Sequence, residues 1–89
     1  LRRRYRAEVR SLCRSARPAL TDGDASGLRD TAHDLLGVTG VMGATDLATL
    51  AGQLDAAAKA GDVSRCAQLL QAIEQACERR QTDDFTQTS

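Results

Sequence analysis

Small aliphatic residues recur every three or four positions in four successive stretches of this chain, and that spacing leaves few architectures open. Tyr5, Val9, Leu12, Cys13, Ala16 and Leu20 mark the first stretch, and Leu28, Ala32, Leu35, Thr39 and Met42 the second. Leu47, Leu50, Ala51, Leu54 and Ala58 follow, and then Cys66, Leu69, Leu70, Ile73 and Cys77. Recurrence at this interval gives each of four helices one apolar stripe. No two-residue alternation, hairpin signal or internal repeat competes with that reading. Of the 89 residues 42% are hydrophobic, yet only Tyr5 and Phe85 carry an aromatic ring. A core of Leu, Val, Ala, Ile, Met and Cys suits closely packed helices better than a sheet. The expected fold is all-α, an antiparallel up-and-down four-helix bundle with short connections.

Turn residues set the expected boundaries. The first helix should run from about Arg3 to Leu20, with Pro18 bending or shortening its last turn. Thr21-Asp22-Gly23-Asp24 reads as a turn, with Asp24 or Ser26 as the N-cap of a second helix over about Ala25 to Met42. Gly43 reads as a C-cap and Thr45 as the cap of the third helix. Gly61 and Asp62 form the same pair of signals before a fourth helix, from about Val63 to Arg80. The domain is expected to span 1–81, and the polar 82–89 stretch to be a flexible tail. The chain opens on Leu1, so it is expected to be one module of a longer polypeptide.

Charge narrows the functional classes. Twelve basic and twelve acidic residues give a formal net charge of zero, and no overall field draws the molecule toward nucleic acid or anionic lipid. Seven arginines nevertheless lie before Pro18, and Arg6, Arg10, Arg14 and Arg17 form a polar stripe on the first helix. With no aromatic platform beside it, that stripe reads as a solvated face rather than a nucleic-acid surface. Direct membrane contact is not expected, because no apolar run approaches the ~20 residues of a span. Cys13, Cys66 and Cys77 all fall on apolar stripes, lack CxxC spacing and are expected to be buried and reduced. No metal site is expected from them.

One segment breaks the helical economy of the rest. AHDLLGVTGVMGA, residues 32–44, holds the only histidine and three glycines, Gly37, Gly40 and Gly43. Glycine inside a helix costs about 1 kcal/mol relative to alanine, so its repetition here calls for a reason. At about 100° per residue, Gly37 and Gly40 fall on the same side as His33, away from the apolar stripe. Glycines that served close helix packing would sit on the buried face instead. The arrangement therefore exposes an imidazole on cleared ground. Neutral imidazole is a nucleophile near pH 7, able to take a phosphoryl group held by another protein. Arg29, one turn earlier, is the nearest cation for a phosphoryl oxygen. The glycines do not form a nucleotide-cradling loop, for no strand precedes them and no Lys-Ser/Thr follows.

His33-Asp34-Leu35-Leu36-Gly37, with Gly43 ten positions after the histidine, resembles the motif of histidine-containing phosphotransfer (HPt) domains. Ala32, Ala44, Leu47 and the run from Leu54 to Asp62 fit the same pattern. The likeness extends from about Tyr5 to Arg80 in the order and length of the helices. It implies that His33 is phosphorylated, that Gly37 clears room for a receiver domain, and that Gly43 ends the histidine helix. It implies response-regulator receiver domains as partners, in the same polypeptide or separate. Mg²⁺ would come from the receiver, with no cofactor bound by this chain. A cytoplasmic setting follows, as the C-terminal module of a hybrid sensor kinase. One position departs from the pattern: the family's lysine three residues after the histidine is Leu36 here. Leu36 either enlarges an apolar docking patch or marks a bundle that binds receivers, or dimerises its parent kinase, without carrying phosphate.

Overall fold

The computed structural model describes the backbone of residues 2–88 and the side-chain surroundings of residues 5–79. Four helices follow one another: α1 (Arg2–Asp22), α2 (Ala25–Met42), α3 (Thr45–Ala60) and α4 (Val63–Thr88). Consecutive helices pack side by side and α4 returns against α1, which leaves α1 and α3, like α2 and α4, on the diagonals. Two-residue connections force each helix back along its predecessor, and the result is the up-and-down bundle expected from the periodicity. At about 1.5 Å per residue the 26-residue α4 is ~39 Å long, which accounts for the long axis of a 42 × 20 × 18 Å molecule.

The turns carry the capping chemistry that holds α2 and α4 in place. Asp24 caps α2, its Oδ1 accepting the Gly27 N–H at 3.0 Å. Asp62 does the same for α4 through the Arg65 N–H at 3.1 Å. Gly43 and Gly61 close α2 and α3 in the left-handed region, at φ +70° and +73°, where a Cβ would be strained.

Three boundaries depart from the sequence expectations. Thr45 is the first residue of α3 rather than its cap. The cap position belongs to Ala44, which has no side-chain acceptor and is buried. α1 continues through Pro18 to Asp22, so the proline does not cut it short. α4 continues beyond Arg80 to Thr88, since residues 81–88 contain neither glycine nor proline to interrupt the hydrogen-bond ladder. The side chains of that segment, Phe85 included, lie outside the described residues, as does Ser89.

The core is built from the predicted stripes. Leu35, Leu47, Leu54, Leu70 and Ile73 are fully buried along the bundle axis, and alanines and cysteines fill the closer approaches. Tyr5 at the open end is only half-buried, so no ring interrupts the aliphatic packing among the described residues. Thr39 is the one buried polar side chain among them, and its Oγ1 donates to the Leu35 carbonyl at 2.8 Å, satisfying it within its own helix. Across the α1–α4 seam Arg17 pairs with Glu74 at the surface, which ties one member of the arginine stripe to α4.

All three cysteines are buried and free. Burial pushes the Cys13 thiol up from its ordinary 9.0 to about 12, with Glu74 and Cys77 adding to the shift and Arg17 opposing it. Burial also raises Cys66 and Cys77. The sign of the linkage follows. Between pH 9 and 12 the unfolded chain has released the Cys13 proton and the folded chain has kept it, so stability falls as pH rises through that window. Each pH unit costs up to about 1.4 kcal/mol for one such thiol. Urea unfolding at pH 8 and pH 10.5 should show a loss in the native protein that is clearly smaller in Cys13→Ala. Equal losses in both would show that this thiol does not titrate in the way its burial dictates.

Candidate functional site

α2 positions the site because its two faces differ so sharply. Leu28, Ala32, Leu35 and Thr39 are buried, and this stripe locks the rotation of the helix about its axis. With that rotation fixed, His33 can only point outward, and it is exposed. Asp30 and Asp34 are exposed beside it, and Arg29 is exposed one turn nearer the N-terminus. Arg29 is the only Lys or Arg in α2. On the neighbouring helix, Lys59 is held by Asp55 at 3.1 Å.

The glycines lie where the sequence placed them. A Cβ built on Gly37 or Gly40 would meet nothing within 4 Å, so both positions are open to solvent and neither serves helix packing. They leave a bare strip of backbone directly after the histidine. Alanine at either position should therefore stabilise the fold, by up to about 1 kcal/mol each, through restricted freedom of the unfolded chain. Thermal unfolding of Gly37→Ala and Gly40→Ala checks this, and a destabilised variant would mean that something does rest against these positions.

Leu36 behaves differently from its neighbours. It is half-buried and leans toward α3, where a Cβ on Gly52 would lie 3.9 Å from its Cδ1. Its side chain thus lies in the α2–α3 seam, and only part of it faces the partner side of His33. Val41 is the residue that sequence reasoning passed over. It is 67% exposed, one of two large hydrophobic side chains so placed among the described residues. The available signal was its spacing, since eight residues after His33 brings it back to about 80° from the imidazole.

Two concave regions among the described residues lie away from His33: a cleft beside Arg14, Arg17 and Glu74, and an apolar recess of about 100 Å³ near Leu20, Leu28 and Val63. Among the described residues no three His, Cys, Asp or Glu side chains converge as metal ligands would. Nor is any helix, among those residues, long and apolar enough to cross a membrane. What α2 offers is a nucleophile on an open face, beside one cation and a strip without side chains. Such a group is open to an electrophile that a second macromolecule carries and aligns.

Comparison with known proteins bears on what that macromolecule is. The Hpt domain family matches the chain over residues 1–83. No curated protein and no solved structure gives a significant match.

Proposed function

Because this chain belongs to the Hpt domain family, whose members transfer phosphoryl groups through histidine in phosphorelays and interact with response-regulator receiver domains, we propose that His33 is its phosphoryl carrier. The reading rests on one observation above all: the single histidine of the chain stands exposed on α2 beside two glycines with open space over them.

The chemistry follows from the imidazole. Nε2 of the neutral ring attacks the phosphorus of an aspartyl phosphate on a receiver domain. As the N–P bond forms, the P–O bond to the aspartate breaks and its electron pair returns to the carboxylate, while the ring keeps its proton on Nδ1. Transfer onward to a second receiver is the same step in reverse. Phosphoryl transfer depends on alignment and charge neutralisation, and the receiver's acidic pocket brings the Mg²⁺. This chain contributes the nucleophile, the clearance of Gly37 and Gly40, and the guanidinium of Arg29 one turn away for a phosphoryl oxygen. Leu36 contributes apolar surface at the α3 edge of the docking face. The setting is the cytoplasm, with the domain attached to a sensor kinase.

The direct test is incubation with receiver domains encoded in the same genome, each phosphorylated by acetyl phosphate with Mg²⁺. Acid-labile, base-stable label should appear on this chain and pass to a second receiver. Binding without uptake would instead identify a bundle that holds receivers without carrying phosphate. Gly37→Leu should weaken receiver binding by filling the bare strip, with the helical circular dichroism unchanged, since the added side chain enters open solvent. Unchanged affinity would show that the partner does not come down on this strip.

A further inference from the structure

The geometry points to Val41 as the residue that selects which receiver docks on the His33 face. This inference rests on the relay reading above and adds a determinant that the reading does not contain. Apolar side chains on a solvent-facing helix surface are ordinarily unremarkable, but the surroundings of this one are not. Leu36, Val38 and Met42 on the same helix are drawn partly into the core, whereas Val41 stands 67% exposed. It lies about 12 Å along the axis from His33 and about 80° round the helix from it. Between them Gly37 and Gly40 present no side chain, so the helix surface drops to backbone there. A partner settling into that trough meets Val41 as the first side chain to rise beyond it.

Arg29 is about 6 Å from His33 in the opposite direction along the axis, with Asp30 and Asp34 also exposed on that part of the helix. These three charges leave that end of the strip without a net positive field, so the apolar side chain beyond the glycines, rather than charge, is what distinguishes one receiver surface from another here. An interface of ordinary size covers about 800 Å² on each partner, roughly 25–30 Å across, and Val41 sits well inside that reach from His33. Along the strip the order is a charged end of mixed sign, the nucleophile, bare backbone and an apolar anchor. Position 41 touches the partner without touching the reacting atoms, which is where discrimination between receivers can change at no cost to the chemistry.

The test separates docking from chemistry. Transfer from a receiver phosphorylated by acetyl phosphate is followed over receiver concentration for the native protein, Val41→Gln and Val41→Leu. Chemical labelling by phosphoramidate, which needs no docking, is measured alongside. Glutamine keeps the helix and the reach of the side chain but loses its apolar surface. Val41→Gln should raise the half-saturating receiver concentration about tenfold, leave the maximal rate and the phosphoramidate labelling unchanged, and alter the ranking of receivers. Val41→Leu should restore near-native half-saturation. An unchanged half-saturating concentration in Val41→Gln, or a change confined to the maximal rate, overturns the role of Val41 and leaves the carrier assignment standing. No label on the native protein from either donor overturns the carrier assignment itself, and Val41 with it.

Discussion

Glutamine in place of His33 is expected to abolish phosphoryl uptake from a phosphorylated receiver and to leave the fold as it was. The two halves of that expectation have separate causes. The amide nitrogen of glutamine has its lone pair delocalised into the carbonyl and does not attack phosphorus, so the loss should be complete rather than partial. Stability should hold because His33 is exposed and gives way to a residue of good helix propensity. Surface changes of this kind stay within about 0.5 kcal/mol. Acid-labile label measured beside the urea midpoint therefore distinguishes a carrier from a structural histidine. A structural role would reverse the pattern, with stability lost and label kept, and label retained by the variant would assign the phosphate to another residue.

The features behind that expectation were legible to different degrees. The outward direction of His33 follows from periodicity alone: once Leu28, Ala32 and Leu35 must be inside, the position of residue 33 is determined. The glycine caps at Gly43 and Gly61 were equally plain, because few other residues hold a left-handed backbone without strain. The start of α3 was not. Capping rules favour Thr45 for its hydroxyl, but the φ of −86° and ψ of 90° at Ala44 place the boundary one residue earlier. Ala44 is buried there, so a small side chain against the core outweighs a hydrogen-bonding one. The Arg17–Glu74 pair was hidden for another reason. Residues 57 apart become neighbours only because α4 closes back on α1, and no local pattern in α1 announces it. Val41 escaped because a single exposed valine leaves almost no mark on a pattern dominated by the buried stripe.

Alanine at Leu35 should produce the opposite phenotype to glutamine at position 33, from a site only two residues away. Leu35 is fully buried on the core side of α2, and truncation there loses its transfer free energy and leaves a cavity. Changes of this type cost about 2–5 kcal/mol. A domain of this size has a total stability of only about 4–13 kcal/mol, so the expected fall in melting temperature is roughly 10–30 °C. Phosphoryl uptake by Leu35→Ala should fall only in proportion to the unfolded fraction, because the leucine touches neither the imidazole face nor the partner. An excluded osmolyte such as trimethylamine N-oxide, which strengthens burial, should then restore uptake toward the native rate. It should do nothing for His33→Gln, in which the fold is intact and the nucleophile is missing. Rescue of one variant and not the other separates the core that orients α2 from the atom it presents. A Leu35→Ala protein that is refolded by the osmolyte and still inactive would mean that the packed face of α2 also sets the fine position of His33.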